Sequence, residues 1–249
     1  MTDAAIQPTI HCKPGDIAPY VLLPGDPERA RWISTFFDDA REVGRNREYW
    51  TYTGNVQGVP ISVMSTGIGC PGAAMGIEEL IKLGAHTLIR VGTCGYLQED
   101  VHPGDLVIAT GAVRDDGLSK ELVPPQYPAV SDLDVTLALR KAAQASGHPF
   151  HVGLYRTGDA FYGLDSEATF GVWKHAGVKI FEQEAAALFT IASLRGVRAG
   201  AIVAVDGPAG SAHAISYKII DRSLFQKAVE MEIRIAIQAI VALAKRIND

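Results

Sequence analysis

Short β-branched runs alternate along this chain with longer segments whose apolar residues recur at helical spacing, and that alternation restricts it to an α/β fold with a largely buried sheet. The runs Tyr20–Leu23, Ile61–Ser65, Thr87–Val91, Asp105–Thr110, His151–Thr157 and Gly200–Val205 predict strands. Ala73–Leu83, Leu133–Ser146, Glu184–Arg195 and Leu224–Arg246 predict helices, with Gly84, Gly147 and Gly196 placed to stop the first three. Glu48–Val56 and Gly58–Met64 read as a hairpin about Gly58, so the sheet should be mixed rather than purely parallel. The last helix is apolar nearly all round, from Leu224 to Leu243, as expected of a helix packed on the sheet.

No linker divides the 249 residues. The Gly/Pro stretches at Pro24–Pro27, Gly67–Gly72 and Gly207-Pro208 each abut an apolar run, which makes them tight turns inside one domain spanning 1–249. With 47% hydrophobic and 20% charged residues, disordered and fibrous classes drop out. The N-terminus lacks the basic start and apolar run of a signal peptide, and no stretch offers 18 uninterrupted apolar residues. The expectation is a soluble, cytoplasmic protein without a membrane partner. Cys12, Cys70 and Cys94 are odd in number and lack CxxC spacing, which suggests reduced thiols and neither a disulfide framework nor a metal site. Net charge is −5 and the 23 basic residues are scattered, so polymeric nucleic acid is not an expected partner. A small anion remains open, since two or three converging arginines and some backbone N–H groups suffice to bind one.

Five segments could carry chemistry. Leu22–Ala30 runs from a strand through Pro-Gly-Asp-Pro into a helix, exposing N–H groups beside Arg29, an oxyanion cradle or simply a turn. Gly67-Ile68-Gly69-Cys70-Pro71-Gly72 has dinucleotide-loop spacing, but the next strand ends in Arg90 rather than an acid for a ribose hydroxyl. An NADP-dependent oxidoreductase survives only through that arginine. Arg90, inside the apolar strand before Thr93, needs an anion or a carboxylate, with Glu79 one internal candidate. Glu182-Gln183-Glu184 sits where a loop enters a helix: two carboxylates at this spacing do not share a helix face, so one can face a pocket while the other caps or pairs. A pocket-facing carboxylate suits a vicinal diol. Asp206 ends an apolar strand, either as a general acid or ligand anchor or as the start of a turn.

In this order the segments resemble the nucleoside phosphorylase family, of the hexameric purine nucleoside phosphorylase and uridine phosphorylase type. The matching residues are Pro24–Arg29, Asn46–Tyr49, Ser65–Pro71, Glu78–Leu80, Arg90–Gly95, Phe161-Tyr162 and Glu182–Glu184, spread over nearly the whole chain. The resemblance implies a single-domain three-layer αβα fold around a central mixed sheet. It implies phosphate held by Gly25, Arg29, Arg90 and Thr93, with Arg47 reaching in from a neighbouring subunit. Ribose would meet Glu184, Gln183 and the neighbour's His11, and the base would meet Phe161, Glu182 and Asp206, the last as general acid. The implied reaction is phosphate-dependent cleavage of a nucleoside to free base and ribose 1-phosphate, without cofactor or metal, in a dimer-based homo-oligomer, expected to be a hexamer.

Asp206 within Val-Asp-Gly favours purines. The segment 163–167 lacks the Gln-x-Arg pair with which uridine phosphorylases read pyrimidines, although uridine cleavage stays as the alternative. Gln183 stands where the family usually has methionine, Ala209–Tyr217 matches neither branch, and Lys218 is the nominal basic partner of Asp206. A hydrolytic nucleosidase would have no use for the three arginines, and a non-enzymatic binding protein would leave both them and Glu184 unexplained.

Overall fold

The computed structural model describes residues 6–162, 166–209 and 222–247. In chain order the elements are β1 (Tyr20–Leu23), α1 (Pro27–Ser34), β2 (Asp38–Asn46), β3 (Tyr49–Val56), β4 (Val59–Met64), α2 (Cys70–Lys82), β5 (Thr87–Tyr96) and β6 (Leu106–Asp115). There follow α3 (Leu118–Leu122), β7 (Ala129–Val130), α4 (Leu133–Ser146), β8 (Phe150–Gly158), α5 (Ser166–His175), β9 (Ile180–Glu182), α6 (Ala185–Arg195), β10 (Arg198–Pro208) and α7 (Arg222–Ile247).

All the strands join one mixed sheet, ordered β10-β6-β8-β9-β5-β1-β4-β3-β2, with β7 on β6. β10 also pairs with β5, so β5, β10, β6, β8 and β9 close into a ring. Parallel pairing runs through β4, β1, β5 and β10, which brings the carboxyl ends of β1, β5 and β10 to one edge. That edge is where open α/β sheets bind ligands. The sheet is covered on both faces, as the three-layer expectation required. Ile77 and Leu80 of α2 pack with Leu188 and Phe189 of α6 on one side. Ala30 and Ile33 of α1, Leu139 of α4 and Ile233 and Ile240 of α7 pack on the other.

Local chemistry accounts for the boundaries. The β3–β4 hairpin pairs Val56 with Val59 across Gln57 and Gly58, both at positive φ (51° and 80°). That two-residue turn matches the right-handed strand twist and explains the glycine. Asp132 caps α4 by accepting from the Val135 N–H at 3.0 Å, and Gly147 and Gly196 end α4 and α6 in the left-handed conformation expected of them. Among the described residues no helix is long and apolar enough to cross a membrane.

Candidate active site

The site forms where β1, β5, β9 and β10 end. After β1, Asp26 caps α1 by accepting from the Glu28 N–H at 2.8 Å, and Pro27 opens the helix, so half-buried Arg29 lies in its first turn. This turn is zipped to the turn after β4: the Thr66 N–H donates to the Pro24 carbonyl at 2.9 Å and the Gly67 N–H to the Gly25 carbonyl at 3.0 Å. A Cβ on Gly25 would stand 3.3 Å from the Gly67 carbonyl oxygen, so the two turns approach closely.

Arg90 is the centre of charge. It pairs in register with Leu23 of β1, is 5% exposed, and meets both glutamates of the β9–α6 junction. Its Nη2 lies 2.5 Å from Glu184 Oε2 and its Nε 2.8 Å from Glu182 Oε2, the latter an ion-pair contact without hydrogen-bond alignment. Burial opposes the arginine's charge, but Glu184 and Glu182 outweigh it and raise its pKa. Burial likewise raises the Glu184 pKa, opposed chiefly by Arg90. The internal partner is therefore not Glu79, whose carboxylate accepts from the Thr9 and Ile10 N–H groups.

The two carboxylates divide their work. Glu182 accepts from the Glu184 and Ala185 N–H groups and from the Thr157 hydroxyl, capping α6. Its side chain is 0% exposed. Glu182, expected beside the base, is thus engaged by the start of α6, by Thr157 and by Arg90. Glu184 is buried as well, its Oε1 accepting from the Gly69 N–H at 2.6 Å. Gly69, at φ 92°, is the N-cap of α2, so the turn with dinucleotide-loop spacing presents its N–H to the protein's own carboxylate. Cys70 Sγ donates to the Gln183 carbonyl at 3.2 Å, tying the two segments together. A void of about 10 Å³, room for one water, lies beneath, lined by Thr66, Arg90, Glu184 and apolar neighbours.

Asp206 occupies a bulge in β10, where pairing with β5 slips between Val205 and Gly207. Such a bulge redirects a side chain at a strand end. Burial pushes its pKa up from 3.8 to about 6, against its backbone N–H contacts and the Arg29 charge. Half-buried Thr93 lies one strand over, its backbone paired with Ala204.

Sequence reasoning overlooked Glu232 of α7. It is fully buried, and among the described residues neither carboxyl oxygen has a hydrogen-bond partner, although Arg29, the Gly92 N–H and Arg90 act on it electrostatically. Its signal is an acid inside the stripe Phe225, Val229, Glu232, Ala236, Ile240, whose helical spacing marks the buried face. Burial raises its pKa from 4.5 to about 8. The folded state then binds a proton that the unfolded chain releases, so stability falls as pH rises from about 4.5 through 8. Glu232→Gln is expected to melt several degrees above the parent at pH 9 and level with it at pH 5, by calorimetry. An equal difference at both pH values would show that the carboxyl does not titrate in this way.

The remaining expected residues lie further out. Phe161 is half-exposed beyond β8, its ring edge-to-face with Tyr162 at 5.0 Å. Gln183 Nε2 donates to the Asp159 carbonyl at 3.0 Å. His11 and Arg47 are exposed, both at positive φ, on segments joined by Asn46 Nδ2 donating to the Thr9 carbonyl at 2.7 Å. Neither reaches the Arg90 cluster through any described contact. Lys218, 163–165 and most of Ala209–Tyr217 lie outside the described residues. The three cysteines are free and buried, and no described cluster of His, Cys, Asp and Glu could hold a metal.

Residues 19–242 match the profile of the Phosphorylase superfamily. The uridine phosphorylase of Thermococcus kodakarensis is 49% identical over 216 residues, 82% of this chain and 78% of that protein. The guanosine phosphorylase of Halorubrum lacusprofundi is 41% identical over 244 residues, 96% of this chain and all of that protein. The structure of Toxoplasma gondii purine nucleoside phosphorylase in complex with immucillin-H superposes with a TM-score of 0.89 at 30% identity, covering 99% of each chain.

Proposed function

The chain belongs to the phosphorylase superfamily, as a nucleoside phosphorylase, and from that premise we propose that it cleaves purine nucleosides, with Arg90 and Glu184 at the junction of its phosphate and ribose sites. The observation that carries this reading is the buried Arg90–Glu184 contact at the carboxyl edge, with Arg29 and Asp206 within electrostatic reach of each other. A phosphate dianion would meet Arg90, Arg29, Thr93 and the Gly25 turn, and Arg47 from a second subunit. Arg90 joins the two substrates, because the carboxylate it holds, Glu184, is the one that would accept both hydroxyls of the ribose diol. Gln183 and a neighbour's His11 would bound the sugar, and Phe161 would cover the base.

In the reaction a phosphate oxygen bonds to C1′ as the C1′–N9 bond breaks, and the departing purine takes a proton at N7 from Asp206. Clustered guanidiniums orient the nucleophile and offset its charge, and Glu184 faces the positive charge that develops on the sugar. Asp206, its pKa raised to about 6, retains a proton further up the pH scale than an ordinary carboxyl. No cofactor enters the scheme.

Uridine cleavage is the second reading, favoured by the 49% identity to a uridine phosphorylase. Initial rates with inosine, guanosine, adenosine and uridine at saturating phosphate separate the two. The purine reading predicts kcat/KM for inosine or guanosine above that for uridine by on the order of 10-fold or more. Uridine as the best substrate would reverse the assignment.

A further inference from the structure

Arg156 of β8 is a buried cation that the phosphate and ribose sides do not use. It is 6% exposed. Asp115, at the carboxyl end of β6, takes its Nε at 2.9 Å and its Nη2 at 2.5 Å, while the guanidinium carbon lies 4.9 Å from the Phe181 ring centroid and 5.2 Å from that of Phe170. Among the described residues Nη1 has no hydrogen-bond partner. A buried donor left unpaired is costly, and the fork is too firmly anchored to swing away to water.

The guanidinium lies against the last residue of β8. A Cβ on Gly158 would stand 2.9 Å from Cζ and 3.0 Å from both Nη1 and Nη2, so the group covers the strand end from which the chain continues to Phe161. Beneath it, Phe181 is the β9 residue paired with both Arg156 and Gly95, the latter two residues beyond Thr93. Ala209, three residues after Asp206, packs on the same aromatic cluster and against Gly95. Arg156 thus stands between the strand end that carries Asp206 and the loop that carries Phe161.

We propose that Arg156 determines base specificity, its free Nη1 donating a hydrogen bond to the exocyclic carbonyl oxygen of the nucleobase. Hypoxanthine, guanine and uracil offer such an acceptor, whereas adenine presents an amino donor that would face a second donor and leave Nη1 unpaired. The inference rests on the nucleoside-cleaving reading above and adds the class of base that reading admits.

The test compares inosine with purine riboside, which lacks the 6-oxygen, at saturating phosphate for the full-length parent, Arg156→Met, Arg156→Lys and Asp115→Asn. In Arg156→Met the ratio of kcat/KM for inosine to that for purine riboside is expected to fall on the order of 10–100-fold, with KM for phosphate unchanged. Asp115→Asn frees the fork without removing it and should move the ratio the same way by less. If Arg156→Met does not fold, Arg156→Lys and Asp115→Asn decide the matter by the same ratio. Parallel losses on both substrates, leaving the ratio at the parent's value, would make Arg156 a packing residue and overturn the proposal. A parent inactive on every nucleoside would remove the underlying reading instead, a result distinct from an active parent with an unmoved ratio.

Discussion

Arg90→Met is expected to reduce phosphorolysis on the order of 10³-fold or more and to destabilise the protein by about 3–5 kcal/mol. Both losses come from one guanidinium. Removing it takes a cation from the phosphate site and leaves Glu182 and Glu184, both nearly inaccessible to water, facing each other without the charge that stands within 2.8 Å of each. The two effects are separable. Adding Glu184→Gln to Arg90→Met relieves carboxylate repulsion and should recover part of the stability in urea unfolding while activity stays absent. A single variant that keeps parental kcat/KM for phosphate would show that Arg90 serves only to satisfy the two acids.

Asp206→Ala is expected to slow inosine cleavage by about 10²–10⁴-fold. Cleavage of N7-methylated guanosine, whose base leaves without needing a proton, should suffer far less. The pH dependence carries the same signature. Because burial holds the Asp206 carboxyl protonated up to about pH 6, kcat/KM for inosine should fall as pH rises above that value, and this limb should be missing with the methylated substrate. Equal losses on both substrates, or identical pH profiles, would reduce Asp206 to a residue that shapes the bulge of β10.

The sheet was legible where burial leaves an apolar run, and less so where it does not. β1 and α4 begin and end where the sequence pattern places them. β5 was read five residues short, because Gly92-Thr93-Cys94-Gly95 looks like a turn until pairing with β10 and β9 supplies its hydrogen bonds. β2 escaped because Asp38–Asn46 is a polar sheet-edge strand without a buried face, and β9 because three residues show no period. At the site, the loop-to-helix position of Glu182 and Glu184 suggested different tasks for the two, and Glu182 does cap α6. Which one capped could not be read, because it depends on Thr157 and Arg90, contributed by strands distant in sequence. The same holds for Glu232 and Arg156. A charged residue in an apolar run signals a constraint, but only the packed fold identifies the group it faces.

The central claim is that the arginine cluster around Arg90 binds the phosphate that cleaves the nucleoside. Phosphorus NMR of the protein with inosine, with and without phosphate, tests it most directly. The account predicts ribose 1-phosphate in amounts equal to the hypoxanthine formed, and no base release when phosphate is omitted. Hypoxanthine released at the same rate without phosphate, accompanied by free ribose, would contradict it.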